Sequence, residues 1–139
     1  MNPSSGSDGS AEKKADAPAP GPETEVLDLG VLEEMGIVPG SGPGSVASGI
    51  VLIFLREERP RVEKLPGLAA ERKGLDLAQA AHNVAGSCAI LGARQVQAAA
   101  IALELAARAE DWSAVAAHLA ALQGAWNRLE AALAQYRGP

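Results

Sequence analysis

The feature that most constrains this chain is an alanine-rich stretch without proline in its C-terminal half. Residues 78–134 contain 22 alanines, and alanine has the highest helix propensity of all residues. No alternation of apolar and polar residues marks a half-buried strand anywhere in the sequence. We therefore predict an all-α fold. Because alanine buries little surface, the core must come from close contact between helices rather than from bulky side chains.

Glycine and proline divide the rest of the chain into helices. A short helix is predicted to end at Gly36, and a second helix to begin near Ser45. Pro60 is expected to kink or end this second helix, and Pro66-Gly67 to interrupt it again.

Three further helices follow with very short joints. They are predicted over residues 75–91, 94–110 and 111–136, with Gly92 ending the first and Asp111 capping the last. Joints this short force neighbouring helices to run antiparallel. The sequence thus predicts an antiparallel up-and-down four-helix bundle, preceded by a short extra N-terminal helix.

The first part of the chain differs in character from the rest. Residues 1–24 contain no Leu, Ile, Val or aromatic residue, so they cannot bury enough apolar surface to offset the entropy of ordering. We predict a disordered N-terminal tail over residues 1–24 and a single helical bundle domain over residues 25–139.

Composition excludes several classes of function. The net charge of −5 gives no electrostatic footprint for nucleic acid or an anionic membrane. The longest apolar run, residues 49–55, is far shorter than the ~20 residues of a membrane-spanning helix, and no signal peptide is visible. The single cysteine, Cys88, excludes an intrachain disulfide, and the two widely separated histidines, His82 and His118, do not form a metal site. We expect a cytoplasmic protein.

Helical periodicity predicts which side chains form the core. The last helix carries an apolar stripe at steps of three and four residues: Val115, Leu119, Leu122, Trp126, Leu129, Leu133 and Tyr136. On the preceding helix Ile101 and Leu105 lie away from the core face, where they either pack on a second neighbour or form an exposed patch suited to self-association. The charged run over residues 56–61 is interpreted as a solvated face.

The helix predicted over residues 75–91 carries a histidine opposite its core face. At about 100° per residue, His82 points away from the cluster formed by Leu77, Ala81, Val84, Cys88 and Leu91. Its neighbours within roughly 60° are mostly small, and they are Leu75, Ala78, Gln79, Ala85, Gly86 and Ala89. A glycine inside a helix costs about 1 kcal/mol relative to alanine, so Gly86 indicates a requirement either for close packing or for access to the imidazole.

The residues around His82 resemble the signature of a known family. His82 to Ala93, HNVAGSCAILGA, is similar to H-x-L-K-G-S-S-x-x-L-G-A, the approximate signature of histidine-containing phosphotransfer (Hpt) domains. The similarity continues to Leu103 and Glu104, within a segment where the family tends to have L-x-x-x-C-x-x-L-E. The resemblance covers about residues 26–136 and implies an antiparallel helical bundle.

The resemblance also implies a function. A response-regulator receiver domain carrying an aspartyl phosphate would dock at His82, which would accept the phosphoryl group and pass it to another receiver. Gln79, Ala78, Ala85, Gly86 and Ala89 would provide phosphoryl access and docking. The chain would be a phosphoryl carrier without independent turnover and without a cofactor, because Mg²⁺ belongs to the receiver. A sensor or hybrid histidine kinase would be a further partner, and the carrier is expected to be a monomer.

Three positions depart from the family pattern and leave alternatives open. Ala85 stands where the family usually has lysine, Cys88 replaces the second serine, and Pro66-Gly67 falls where the family continues a helix. A lysine at position 85 is expected to slow the loss of phosphate from His82. One alternative is an Hpt-like helical adaptor that binds receivers without phosphotransfer. Another is a structural dimer formed through the patch on the preceding helix.

Overall fold

The computed structural model describes residues 25–37 and 45–137. Within these ranges there is no strand, and the prediction of an all-α fold is confirmed. The predicted disordered tail, residues 1–24, lies outside the described residues. The five helices are α1 Leu29–Glu34, α2 Val46–Ala70, α3 Gly74–Leu91, α4 Arg94–Arg108 and α5 Trp112–Arg137.

The four long helices form a closed ring of contacts. Helix α3 packs against α2 and α4, and α5 packs against the same two helices. The joints are only two or three residues long, which makes chain neighbours antiparallel. The predicted up-and-down bundle with a short extra N-terminal helix is therefore the observed fold.

Local signals set the ends of these helices. The hydroxyl of Ser45 accepts a hydrogen bond of 3.0 Å from the Ser48 amide, and the Asp111 carboxylate accepts one of 3.2 Å from the Ala114 amide. These two side chains satisfy amides that a helix leaves free in its first turn. Gly92 ends α3 in the left-handed conformation with φ +80°. The predicted starts of α2 and α5 and the predicted end of α3 are confirmed to within one residue.

The two prolines do not interrupt α2. Both Pro60 and Pro66 lie inside one helix, so the prediction that they end or divide it is wrong. A proline removes one backbone hydrogen bond, and apolar side chains buried before Pro60 and between Pro60 and Pro66 compensate for this loss. Leu55, Val62 and Leu65 are all at most 6% exposed. Tertiary burial thus outweighs the local preference of proline.

The core follows the predicted stripes closely. Val96, Ala100, Leu103 and Ala107 on α4 are fully buried. The stripe on α5 is also buried, with Leu119 partly so. Ile101 and Leu105 are exposed at 43% and 64%, so they form an exposed patch rather than packing on a second neighbouring helix.

One member of the charged run departs from the predicted solvated face. Glu58 is only 2% exposed, and its carboxylate accepts a hydrogen bond of 2.8 Å from Arg61. The residue lies on the buried side of α2, with Val51, Leu55 and Val62. The prediction of a wholly solvated run was wrong because helical periodicity turns this one position inward.

Helix α1 packs on the joint between α3 and α4. The Asp28 amide donates a hydrogen bond of 2.7 Å to the Gly92 carbonyl. Arg94 in turn donates a hydrogen bond of 3.1 Å to the Asp28 carboxylate, whose other oxygen accepts from the α1 amides of Gly30 and Val31. The same aspartate therefore caps α1 and fixes it to the helix pair that carries His82.

Among the described helices, none combines the length and the apolar character that crossing a membrane requires.

Candidate functional site

His82 lies in the middle of α3 and points out of the bundle. Its side chain is 62% exposed, whereas Leu77, Ala81, Val84 and Cys88 on the opposite face of the helix are completely buried. The predicted exposure of this histidine is confirmed. An imidazole in this position can meet a reactant that approaches from outside.

A carboxylate on α4 holds one nitrogen of the ring. Nδ1 of His82 lies 3.2 Å from Oε1 of Glu104, whose side chain is only 16% exposed. The other oxygen, Oε2, accepts two hydrogen bonds from Arg108, at 2.9 and 3.1 Å. The three side chains form a chain of contacts from a guanidinium through a carboxylate to the imidazole.

The charge of Glu104 fixes which ring nitrogen carries hydrogen. Burial raises the pKa of the Glu104 carboxyl, but the hydrogen bonds from Arg108 and His82 outweigh burial and hold the pKa below its ordinary value of 4.5. Glu104 is thus ionised at neutral pH and can only accept hydrogen bonds. Nδ1 of His82 must be the donor, and a neutral ring then carries its free electron pair on Nε2.

This arrangement provides a nucleophile. The lone pair of Nε2 belongs to the exposed ring, while Nδ1–H is bonded to an anion. Attack by Nε2 on an electrophile would place a positive charge on the ring, and the adjacent carboxylate would stabilise that charge. The geometry therefore favours nucleophilic attack on an electrophile delivered from solution.

From the sequence, Glu104 was identified only as part of a motif, and no role was predicted for Arg108. A signal for the contact was available, because His82 and Glu104 are equally far along the chain from Ala93. In an antiparallel helix pair with its joint at Gly92 and Ala93, residues equidistant from the joint lie at the same height. Applying that rule to the predicted bundle would have found Glu104.

The small-residue surface predicted around the imidazole is narrower than expected. Gly86 and Gln79 are exposed and Ala89 is half-buried, as an access surface requires. Ala78 and Ala85, however, are 0% and 8% exposed, and their prediction as docking residues is wrong. Alanine side chains let α4 approach closely, so the core face of α3 extends around to these two positions.

Gly86 has no packing role inside the molecule. A Cβ atom built at this residue would meet no atom within 4 Å. The reason for a glycine here, one turn from His82, therefore does not lie in the bundle itself. Its effect is that no side chain projects from the helix surface beside the imidazole.

Exposed apolar side chains surround the polar centre. Leu75 and Ile90 lie two turns on either side of His82 along α3, and they are 73% and 70% exposed. On α4, Ile101 and Leu105 lie on the exposed side next to Glu104. A polar centre with apolar side chains around it is typical of a protein interface.

On the other side of His82, a cleft separates α2 from α3. We call it the α2–α3 cleft, and its wall includes Arg61 and Lys64 from α2 and Gln79 and Asn83 from α3. Gln79 donates a hydrogen bond of 3.2 Å to Asn83, which immediately follows His82. The sequence did not identify this cleft, because the register between α2 and α3 cannot be obtained from either helix alone.

The remaining candidates do not form a second site. His118 is half-buried on α5, as predicted for a structural histidine. Burial, with a smaller contribution from the nearby Glu58 carboxylate, raises the pKa of the Cys88 thiol to about 12, so the thiol is inert. Within residues 25–37 and 45–137, no three His, Cys, Asp or Glu side chains lie close enough together to hold a metal ion.

Comparison with known proteins identifies one match. The family model described as the Hpt domain matches residues 49–137, which include α3, α4 and α5 entirely and nearly all of α2. No curated protein and no solved structure matches the chain.

Proposed function

Because the chain belongs to the Hpt domain family, we propose that His82 is its phosphoacceptor in a phosphorelay. His82 takes a phosphoryl group from the aspartyl phosphate of one receiver domain and passes it to the aspartate of another. The observation that carries this proposal is the pair formed by an exposed imidazole and a half-buried carboxylate bound to Nδ1. Members of this family carry phosphate rather than turn over a substrate.

The transfer step follows from the geometry at His82. The lone pair of Nε2 attacks phosphorus, the bond from phosphorus to the aspartyl oxygen breaks, and the receiver carboxylate leaves with that electron pair. The product carries the phosphoryl group on Nε2, while Nδ1 keeps its hydrogen. The second transfer is the same step in reverse, toward a different carboxylate. No proton needs to move in either direction.

Glu104 positions the imidazole for this step. Its hydrogen bond keeps hydrogen on Nδ1, and its charge stabilises the ring as Nε2 loses electron density. Arg108 holds the Glu104 carboxylate in place. Phosphoryl transfer depends mainly on in-line positioning and charge, so a fixed ring on a rigid helix supplies much of what the acceptor contributes.

The test is direct phosphotransfer. A panel of isolated receiver domains, each phosphorylated with acetyl phosphate and Mg²⁺, is mixed with the full chain, and the acid-labile label is mapped by mass spectrometry. We expect label on His82 in the wild type and in His118→Gln, and none in His82→Gln. Label on His118, or label that persists in His82→Gln, would overturn the proposal.

The same experiment separates the two other functions that the sequence left open. An adaptor would bind a receiver with equal affinity in the wild type and in His82→Gln, and neither protein would take label. A structural dimer would lose mass in Ile101→Glu, as measured by sedimentation at several concentrations. Label on His82 in a protein that sediments with the mass of a monomer at every concentration excludes both.

A further inference from the structure

Helix α3 carries His82 but no cation that could bind a phosphoryl group on it. The helix, Gly74–Leu91, contains neither lysine nor arginine. Ala85 stands where the family usually has lysine, and it is only 8% exposed, so its side chain is turned toward the core. A side chain of α3 that binds a phosphoryl group on His82 must therefore be neutral.

The cations on α2 and α4 near this part of α3 do not supply the missing charge. Each has a carboxylate beside it: Arg108 with Glu104, Arg61 with Glu58, and Lys64 with Asp76 in the wall of the α2–α3 cleft. Charges balanced in this way leave no net positive charge beside the imidazole. The donors left for the phosphoryl oxygens are the neutral polar side chains of α3.

Three exposed or half-buried side chains of α3 are neutral and polar, and they are Gln79, Asn83 and Ser87. Ser87 faces α2, where its hydroxyl accepts a hydrogen bond of 3.3 Å from Arg61. Asn83 follows His82 directly, and consecutive residues of a helix do not face each other. Gln79 precedes His82 by three residues, the spacing at which helix side chains are neighbours. Gln79 is therefore the neutral donor beside the imidazole.

A hydrogen bond to Asn83 holds the carboxamide of Gln79 at the level of His82. Nε2 of Gln79 donates it at 3.2 Å to Oδ1 of Asn83, one helical turn further along α3. A carboxamide nitrogen carries two hydrogens, so the second remains available to a ligand. Nδ1 of the imidazole is bonded to Glu104 on α4, so Nε2 points away from α4, toward the side on which Gln79 lines the cleft.

We propose that Gln79 binds the phosphoryl group on Nε2 of His82 through this second hydrogen, and that Asn83 is the residue that positions it. The inference rests on the proposed function and identifies the donor that replaces the family's lysine. A neutral N–H stabilises phosphoryl oxygens less than an ammonium group does. His82 therefore holds phosphate weakly, which favours its onward transfer over its storage.

The experiment measures the lifetime of phosphohistidine in the isolated full chain. Phosphoramidate labels a histidine without a receiver, because Nε2 attacks phosphorus, the P–N bond of the reagent breaks and ammonia leaves. After the reagent is removed, mass spectrometry of the peptide that contains His82 follows the loss of phosphate to water. Gln79→Met keeps the length of the side chain but has no donor, and it should shorten the lifetime about threefold. Gln79→Lys should lengthen it by a similar factor. Gln123→Met, at an exposed glutamine of α5, is the matched control and should keep the wild-type lifetime.

A double-mutant cycle tests the role assigned to Asn83. Asn83→Ala should shorten the lifetime about twofold, because Gln79 loses its partner and samples other rotamers. Combined with Gln79→Met, it should have no further effect, since Asn83 acts only through Gln79. Both residues are exposed, so the unfolding temperatures should stay at the wild-type value. Effects that multiply in the double variant would overturn the positioning role of Asn83.

The outcomes separate this inference from the proposed function. If phosphoramidate labels His82 but no receiver does, the proposed function falls and the lifetimes still decide the role of Gln79. If neither donor labels His82, both are overturned. A wild-type lifetime in Gln79→Met would overturn the inference alone. An unchanged lifetime with slower transfer from a receiver would instead assign Gln79 to the surface that the receiver contacts.

Discussion

At the scale of single residues, the site depends on the charge of Glu104. This carboxylate has lost most of its contact with water and is stabilised by Arg108 on one side and His82 on the other. Removing its charge while keeping its shape isolates that contribution. Glutamine at this position could still accept a hydrogen bond from Nδ1, so the ring would not need to move.

We expect Glu104→Gln to slow phosphorylation of His82 about tenfold, because a charge-assisted hydrogen bond exceeds a neutral one by ~1 kcal/mol or more. The measurement is the single-turnover rate of transfer from a phosphorylated receiver domain. Glu130→Gln, which breaks an ion pair with Arg59 on the far side of the bundle, is the matched control and should transfer normally. Equal rates for the two variants would show that the charge of Glu104 has no part in the step.

The lowered pKa of Glu104 also predicts how stability depends on pH. A carboxyl whose pKa is lower in the folded state stabilises the fold above its unfolded value of 4.5 and loses that contribution as the pH falls through the folded value. In urea titrations we expect the wild type to lose more unfolding free energy than Glu104→Gln as the pH falls from neutral to below the folded-state pKa of Glu104. Parallel curves for the two proteins would contradict the ion pairs described for Glu104.

Ala85 is a second residue at which burial decides the outcome. The sequence predicts that Ala85→Lys slows the loss of phosphate, but the position is 8% exposed and faces the neighbouring helix. We now expect this variant to lose about 1–3 kcal/mol of unfolding free energy in urea titrations, because the lysine stem overfills a close contact. Gln79→Lys, at an exposed position of the same helix, should keep the wild-type stability. A fully stable Ala85→Lys would show that α3 and α4 leave more room than the structure indicates.

At the scale of the helix, α3 has a core face that is wider than its sequence pattern. Periodicity correctly placed Leu77, Val84 and Leu91 inside and His82 outside. It could not place Ala78 and Ala85, because alanine is compatible with either environment and only the distance to α4 decides. Pattern thus predicts the centre of a buried face, whereas its edges depend on how closely the neighbouring helix packs.

Helix α2 shows where prediction from the local sequence alone fails. Local rules gave its start at Ser45 correctly and predicted breaks at Pro60 and Pro66 that do not occur. Local rules likewise placed Glu58 in a solvated run. In both cases packing against the rest of the bundle decides the outcome, and the residues adjacent in sequence carry no information about that packing. The bundle and the histidine were therefore predictable, and the cleft beside the histidine was not.

Gly86 allows a test of α3 in which stability and function change in opposite directions. An added Cβ meets no atom within 4 Å, so Gly86→Ala should raise the unfolding free energy by up to about 1 kcal/mol. Gly86→Leu should fold as well but block transfer, since its side chain stands beside the imidazole. Circular dichroism during heating and the transfer rate are measured on each variant.

Gly67 supplies the control for this test. It also lies inside a helix with open space around an added Cβ, but on α2. Gly67→Ala should therefore stabilise the protein without affecting transfer. Normal transfer by a folded Gly86→Leu would show that this glycine has no role in access to His82.

At the scale of the whole molecule, the N-terminal helix α1 contacts the region matched by the family model at the joint between α3 and α4. This joint sets the contact between His82 and Glu104. Helix α1 lies before residue 49, where the family match begins, yet Asp28 contacts Gly92 and Arg94. A joint held from outside fixes the register of α3 against α4, and that register places Glu104 opposite His82. We infer that α1 stabilises the site through the joint rather than by contact with either residue.

Two glycines with the same backbone conformation make this contribution measurable. Gly92 has φ +80° and Gly36 has φ +78°, so alanine at either position carries a similar strain of about 1–2 kcal/mol. At Gly36 an added Cβ meets no atom within 4 Å, whereas at Gly92 it would lie 3.0 Å from Cβ of Asp28 and 3.2 Å from Cβ of Val31. Gly92→Ala should therefore lower the unfolding free energy more than Gly36→Ala, because it also displaces α1. Denaturant titrations give both values, and the phosphorylation rate of His82 should fall only in Gly92→Ala. Equal losses of stability, with normal phosphorylation in both variants, would mean that α1 has no influence on the joint or on the histidine that depends on it.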